Sequence, residues 1–208
     1  MNVMQGDLRS EAHASNHDRS EDVPFEVQEA IRTLLRWSGE DPEREGPGDT
    51  PSRVGRAWRE LCLGYRDDPA AYLKRTFEEV SADNEIVVLG GISFRSHCEH
   101  HRAPITCTAS IAYLPTDRVV GISKLARVLH GFARRLQVQE RLTAQIAQCI
   151  WDNLEPMGVA VVIKGSHGCL SARGVRTHGI DMVTSKMLGC FRDDASSRRE
   201  VLALMDGS

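Results

Sequence analysis

The sequence lacks the features that mark membrane, secreted or nucleic-acid-binding proteins. It has no apolar run as long as a membrane helix, and its first residues lack the basic-then-apolar pattern of a signal peptide. The formal net charge is −3 and the pI is about 6.2, so no overall charge draws the chain to nucleic acid or to an anionic membrane. We therefore expect a cytoplasmic protein with no nucleic-acid or membrane partner, in which any anion site is local.

Cysteine is present, but not at the density of a small secreted disulfide framework. The chain has 208 residues, 41% of them hydrophobic, so it can build a full core without disulfides. We expect free or metal-bound thiols in one domain with an appendage. The six cysteines are Cys62, Cys98, Cys107, Cys149, Cys169 and Cys190.

The first of two cysteine and histidine clusters is the CEHH stretch, which holds Cys98, His100 and His101. Cys98 and His101 are three positions apart, so a single turn of backbone brings both side chains to one side. Sulfur and imidazole nitrogen are the ligands that zinc prefers. One turn therefore offers two zinc ligands.

The second cluster contains His167 and Cys169, two positions apart after the apolar run 159–163. Residues i and i+2 of a strand face the same way, so we expect a third ligand and a free imidazole on one face. Three protein ligands and a water form the open arrangement of a catalytic zinc centre. The alternative, a core cysteine with unrelated surface histidines, is disfavoured because thiols and imidazoles recur within both short windows.

Composition and apolar periodicity divide the chain into three parts. Residues 1–22 are polar and without periodicity, which predicts a disordered tail. Residues 23–84 are expected to form an N-terminal helical region, and residues 85–208 a catalytic domain. No internal repeat is present.

Two helices are predicted in the N-terminal region. The first carries an apolar stripe and ends near Gly39, and the second is capped by Thr50 with Pro51 in its first turn. The stripe of the first helix is Val27, Ile31, Leu34 and Leu35.

The catalytic domain combines strands and helices. Runs 86–89 and 106–113 are β-rich and frame the CEHH turn, run 159–163 is a further strand, and we expect a last strand near 189–191. A C-terminal helix is expected over about 196–205. Two helical stripes lie between the strands, so the pattern predicts an antiparallel α+β unit with two covering helices. The stripes are Leu125, Val128, Leu129 and Phe132, then Leu142, Ile146, Cys149, Ile150 and Leu154.

Basic residues crowd the span 124–141, and two more follow the second cluster, although the chain is net negative. This pattern favours a polyanionic ligand such as a phosphate chain. A solvated basic helix face is the alternative, and composition does not separate the two. Glu140 lies among these cations and could accept two hydrogen bonds from a guanine edge, or pair with Arg141 or Lys124. The basic residues are Lys124, Arg127, Arg134, Arg135, Arg141, Arg173 and Arg176.

From about residue 23 to the end, a series of motifs in order resembles the GTP cyclohydrolase I family. The CEHH, GISK, QERLT and RGV motifs occur together, which makes the resemblance specific. The matching segments are GEDPEREG, DTPSRV, FRSHCEHHRAPI, IAYLP, VVGISKLAR, RRLQVQERLTAQIA, GVAVVI, SHGC, ARGV and VTSKMLGCF.

The resemblance implies a fold, a metal and a reaction. The fold would be the α+β tunnelling fold, an antiparallel sheet with two helices on one face, preceded by an N-terminal helical region and assembled as a homodecamer with active sites between subunits. Zn²⁺ would be held by Cys98, His101 and Cys169. The substrate would be GTP, opened at C8 of the guanine imidazole ring with release of formate and rearrangement to 7,8-dihydroneopterin triphosphate, the entry to pterins and tetrahydrofolate.

The same resemblance implies roles for individual side chains. His100 and His167 would be the catalytic proton carriers, His100 acting at N7 of the purine. Glu140 would hold the guanine edge with Gln139 beside it, and four residues would bind the triphosphate. Those four are Ser123, Lys124, Arg127 and Arg173.

The chain departs from the family pattern at Lys164, Cys107 and the segment 180–182. Asp181 adds a negative charge in a segment close to Arg173, which would weaken triphosphate binding or alter the preferred nucleotide, a change that Lys164 would offset. Two other functions are consistent with the sequence: a specialised paralogue that feeds deazapurine or other pterin-derived metabolites, and a noncatalytic zinc-stabilised binding module. A reductase that uses a cysteine nucleophile is disfavoured by the intact metal motifs.

Overall fold

The computed structural model of the protein describes residues 22–77 and 85–207. The predicted tail lies outside these residues, except for residue 22. The chain divides into two units, residues 1–60 and 61–208. The predicted boundary between residues 84 and 85 stays a prediction, since residues 78–84 are not described.

The first unit contains the two predicted helices. Helix α1 spans Phe25–Trp37, and Gly39 follows it with a φ of +92°, as expected for a residue that ends a helix. Helix α2 spans Thr50–Leu61, so it begins at Thr50 rather than after it. Gly55 packs directly on Val23, where an added Cβ would lie 2.4 Å from a Val23 methyl carbon. The predicted apolar stripe does form a helix face, but no residue of α1 is buried.

The second unit is built on a five-stranded sheet in the order β5-β2-β3-β6-β7. Its strands are β2 (Val87–Cys98), β3 (Pro104–Leu114), β5 (Leu136–Gln137), β6 (Gly158–His167) and β7 (Asp181–Gly189). Neighbouring strands are antiparallel, except that the short β5 runs parallel to β2. A separate pair is formed by β1 (Thr76–Phe77) and β4 (Val119–Val120), after two 3-10 turns at Leu63–Arg66 and Pro69–Lys74.

Helices cover both faces of the sheet. Helices α3 (Ile122–Ala133) and α4 (Gln139–Leu154) pack on one face, where alternate strand residues such as Ile111 and Tyr113 are fully buried. Ala112 points the other way and packs against α7 (Ala195–Asp206). This confirms the α+β prediction of an antiparallel sheet with two helices on one face. The predicted C-terminal helix is also confirmed, and it packs on the other face.

Two strand predictions need correction. The last strand is β7, Asp181–Gly189, whereas residues 190 and 191 of the predicted strand begin the short helix α6 (Cys190–Asp193). The predicted position is wrong because Gly189 bends the chain, with a φ of +59° and no room for a Cβ beside Met157. Strand β2 is longer than residues 86–89, because a bulge at Gly91 lets it continue to Cys98.

The helices described in residues 22–77 and 85–207 were compared with the requirements for crossing a bilayer. None of them combines the necessary length with sufficient apolar character.

Candidate metal centre

The candidate site lies at one end of the sheet, where β2 and β6 end and β3 begins. Cys98 ends β2, and its backbone N–H donates to the carbonyl of Ala103 at 2.9 Å, closing a four-residue turn before β3. Arg102 completes this turn with a φ of +56°. His167, the last residue of β6, is the register partner of Ile105. The sheet therefore brings both clusters of the sequence to the same end.

Cys98, His101 and Cys169 form a cluster that could hold a metal ion, since their ligand atoms all lie within 4.8 Å of one another. Cys98 is buried, Cys169 is half-buried and His101 is exposed. Two sulfurs and an imidazole nitrogen are the donor set of a catalytic zinc site with an open position. The residues therefore fit zinc both in chemistry and in spacing.

Cys169 reaches the cluster by a different route from the predicted one. Strand β6 stops at His167, and Cys169 lies in the short helix α5 (Gly168–Ser171), so the argument from a shared strand face is wrong. Gly168 allows the change of direction, because a Cβ there would lie 2.9 Å from the Pro104 carbonyl oxygen. Burial raises the pKa of the Cys169 thiol, and the nearby Cys98 raises it further. None of the six cysteines, all of which lie in the described part of the chain, forms a disulfide.

His100 lies beside the cluster. Its Nδ1 is 3.9 Å from Sγ of Cys98, and its Nε2 is 3.7 Å from a carboxylate oxygen of Glu99. The side chain is 64% exposed, so its ring can reach a ligand in front of the cluster.

Glu99 connects the CEHH turn to helix α4. Its carboxylate accepts a hydrogen bond from Arg141, which holds the pKa of Glu99 below its usual range. Its backbone N–H donates to the Gln137 carbonyl at 3.0 Å. The turn is therefore held by both backbone and side chain.

His167 faces the first turn of α4. Its Nε2 is 2.8 Å from Oε1 of Gln139, which is itself only 1% exposed. Burial lowers the pKa of His167, and the negative charge of Glu140 opposes that shift. Glu140 is exposed next to the imidazole, in a position to meet a ligand.

The predicted phosphate-binding residues do not all come together. Arg173 follows α5 and is close enough to Cys169 for its charge to lower the thiol pKa. Ser123 lies at the start of α3, ten residues before Ala133 and therefore about 15 Å from it. Ala133 is at the cluster end of the sheet, because its carbonyl accepts from the Ser96 hydroxyl at 2.8 Å. Ser123 and its neighbours thus lie towards the other end of α3.

Two of the predicted basic residues serve the fold. Arg135 donates to the carbonyls of Gly64 and Asp67 at 2.8 and 3.2 Å. Arg127 places its guanidinium 5.9 Å from the centre of the Tyr72 ring, and its own side chain remains exposed. Arg135 is thus committed to the fold, whereas the exposed Arg127 stays available for an anion.

Lys164 and Asp181, at two positions where the chain departs from the family pattern, contact each other. Nζ of Lys164 on β6 lies 3.2 Å from Oδ2 of Asp181 on β7. Both side chains are exposed, at 63% and 41%, so the pair is a weak surface ion pair. Lys164 therefore lies where it can offset the negative charge of Asp181, as expected.

Sequence reasoning did not identify the supporting residues of the site. Arg141 was grouped with candidate anion binders, whereas it pairs with Glu99. No pattern in the sequence indicates Thr143 or Thr184, each of which bonds to Gln139. The position of Glu99 inside the CEHH motif was the one signal that could have indicated its role.

Comparison with known proteins gives consistent matches. The sequence profile of the family described as GTP cyclohydrolase I matches residues 27–206. The chain is 51% identical over 177 residues to GTP cyclohydrolase 1 of Hyphomonas neptunium, covering 85% of this chain and 86% of that protein. It is 48% identical over 182 residues to GTP cyclohydrolase 1 of Sinorhizobium fredii, covering 88% and 89%. A crystal structure of an archaeosine synthase QueF-Like in the apo form aligns with a TM-score of 0.41 and 16% identity, over 52% of this chain and 97% of that one.

Proposed function

Because this chain belongs to the GTP cyclohydrolase I family, it acts as a GTP cyclohydrolase I, and we propose that it does so with zinc held by Cys98, His101 and Cys169. The observation that carries the zinc proposal is the meeting of these donor atoms, from two distant segments, within 4.8 Å. Zinc bound there supplies Lewis-acid activation of water for hydrolysis at C8 of guanine.

We propose two imidazoles as the proton carriers of the reaction. His100 is exposed beside Cys98, which suits a group that protonates N7 of the purine as the imidazole ring opens. His167 is held by the contact of its Nε2 with Oε1 of Gln139, and it suits the repeated proton transfers of ring opening and reclosure. Histidine is suited to both tasks because its ordinary pKa lies near neutrality.

Recognition of GTP would use groups on either side of the cluster. Glu140 would accept two hydrogen bonds from the N1–H and amino group of guanine, a choice supported by its exposure beside His167. Arg173 would contact the triphosphate near Cys169, supported by its closeness to that thiol. Binding of these remote groups would hold the reacting ring in place through several steps.

Ser123, Lys124 and Arg127 would bind the triphosphate from a second copy of the chain. Their position on the half of α3 away from the cluster supports a site completed between subunits. Within residues 22–77 and 85–207, β7 pairs only with β6, and β2 pairs with β5 only at His97 and Cys98. Both edges of the sheet can therefore pair with a strand of a neighbouring subunit. This supports a closed ring of subunits, which the family resemblance implies is a decamer.

The proposed product is 7,8-dihydroneopterin triphosphate, the first intermediate towards tetrahydrofolate. A specialised paralogue that stops at a ring-opened intermediate, or that feeds another pterin-derived metabolite, would begin with the same chemistry. Only the identity of the product separates the two.

Incubation of the purified protein with GTP, with and without a zinc chelator, tests the proposal. We expect formate, and a pterin that fluoresces after oxidation, only while zinc is bound, with a product mass equal to that of the dihydropterin triphosphate. Full turnover after complete zinc removal would refute the metal assignment. Formate release with a product that does not become fluorescent would favour the specialised paralogue.

A further inference from the structure

Gln139, the first residue of α4, occupies a closed cradle at the end of the sheet. Its side chain is 1% exposed and contacts the backbone of β6 at Gly165. A Cβ at Gly165 would lie 2.5 Å from Oε1 of Gln139, so only glycine leaves room for the amide. A fully enclosed polar group of this kind needs partners for its polar atoms.

The surroundings fix which way round the Gln139 amide lies. Nε2 is 3.1 Å from the carbonyl oxygen of Ile163 and 3.0 Å from that of Met182. Carbonyl oxygens only accept hydrogen bonds, so the amide group facing them must be the NH₂ group. Oε1 is therefore the atom that faces His167.

A chain of two hydroxyls supports the same orientation. Nε2 of Gln139 is 3.2 Å from Oγ1 of Thr184, which is 2.7 Å from Oγ1 of Thr143. The Thr143 hydroxyl donates to the backbone carbonyl of Gln139 at 2.7 Å. Thr143 uses its proton there, so Thr184 must donate to Thr143 and can only accept from the amide, whose two hydrogens are shared among the Thr184 hydroxyl and the Ile163 and Met182 carbonyls. The amide donates to Thr184, Thr184 donates to Thr143, and Thr143 donates to the Gln139 carbonyl, so the three hydrogen bonds form a ring with one direction of donation.

The amide oxygen accepts only, so Nε2 of His167, 2.8 Å away, must carry a hydrogen. We propose that Gln139 is a positioning residue that keeps His167 in the Nε2–H form, so that Nδ1 is the atom that exchanges protons with the substrate. The inference rests on the proposed function, since it assigns an atom to the proton transfer of His167. It also replaces the expected contact of Gln139 with guanine, for which a 1% exposed side chain has no free surface.

The substitution Gln139→Met tests this, because methionine fills a similar volume without a hydrogen-bond acceptor. We expect kcat to fall by about 100-fold, the scale of acid–base catalysis, while KM for GTP changes little. In a His167→Ala background the same substitution should have no further effect on kcat. Gln148→Met, at an exposed position of the same helix, is the matched control and should leave both constants unchanged.

A second measurement does not depend on turnover. In the zinc-loaded protein labelled with ¹⁵N-histidine, the solid-state ¹⁵N spectrum reports which ring nitrogen carries hydrogen, and His167→Ala identifies the signal. We expect an Nε2–H signal in the parent and its partial loss in Gln139→Met. An unchanged signal, or a rise in KM with unchanged kcat, would overturn the inference.

If Gln139→Met does not fold, Thr184→Val removes one acceptor of the amide and breaks the hydroxyl ring. The expected result is a smaller loss of kcat and the same direction of change in the spectrum, and an absence of both would overturn the inference. A parent protein that fails to turn over GTP would refute the proposed function alone, because the spectrum still tests the form of His167.

Discussion

Arg141, in the first turn of α4, donates a hydrogen bond through Nη2 to Oε2 of Glu99, the neighbour of the candidate ligand Cys98. The same guanidinium donates to the Leu136 carbonyl at 3.1 Å and to Oε1 of Gln137 at 3.3 Å. One side chain thus links α4, β5 and the CEHH turn. A charge-assisted contact of this kind orients a turn that holds two candidate metal ligands, Cys98 and His101.

Loss of this link should weaken zinc binding. In Arg141→Met we expect zinc affinity to fall by about 10- to 100-fold, the usual effect of removing a residue that orients a ligand. The melting temperature of the metal-free protein should change little, because Arg141 and Glu99 are at the surface. Competition with a chromogenic zinc chelator measures the affinity.

Arg118→Met is the control for the Arg141 substitution. Arg118 also pairs with a glutamate, Glu155, at 3.5 Å, but it lies in the turn after β3, away from the cluster. Zinc affinity should be unchanged in this variant. Equal affinities of Arg141→Met and the parent would contradict the orienting role.

The elements that the sequence predicted well are those with strong local patterns. The stripe through Leu125 and Leu129 gave α3, and the run before Pro156 gave the end of α4, because burial of one helix face repeats with the helical period. The last strand was misplaced because β7 alternates exposed and half-buried residues, so it carries no continuous apolar run. An edge strand has this weaker pattern.

The pairing of Cys98 and His101 was predictable from spacing, whereas the position of Cys169 in a helix and the supporting contacts of the site were not. Cys98 and His101 lie in one turn, so local geometry brings them together. Gln139 meets His167 only because β6 and α4 pack side by side, a contact between residues far apart in sequence. Local patterns do not contain such a contact, so the sequence does not indicate that Gln139 meets His167.

Substitution of the ligands should separate metal binding from proton transfer. We expect Cys98→Ser and Cys169→Ser to lose zinc and activity together, because each removes a sulfur from a three-residue donor set. His167→Ala should keep its zinc and lose turnover by about 100-fold or more. Elemental analysis alongside formate release distinguishes the outcomes, and full turnover of a zinc-free cysteine variant would contradict the ligand assignment.

The ion pair of Lys164 and Asp181 should matter for GTP binding through charge. Lys164→Ser leaves Asp181 without its partner, so we expect KM for GTP to rise by up to about fivefold, the limit for an exposed pair. The double variant Lys164→Ser/Asp181→Ser should return to the parent value, and the effect should shrink in high salt. A KM that is the same in all three proteins would show that this pair does not influence the nucleotide.

Stability should depend on pH through His130 of α3. Burial, and then the nearby charge of Arg134, lowers the pKa of His130 in the folded protein below its ordinary value. As the pH falls through about 6.5, the unfolded chain therefore takes up a proton that the folded protein resists, and the folded state loses stability. The loss is complete once the pH is below the folded pKa.

His130→Gln removes this pH-dependent contribution to stability while keeping a polar side chain. The melting temperature of the parent should therefore fall relative to that of the variant between pH 8 and pH 5. Carboxylates titrate in both proteins and cancel in this comparison, so a constant difference across the range would contradict the role of His130.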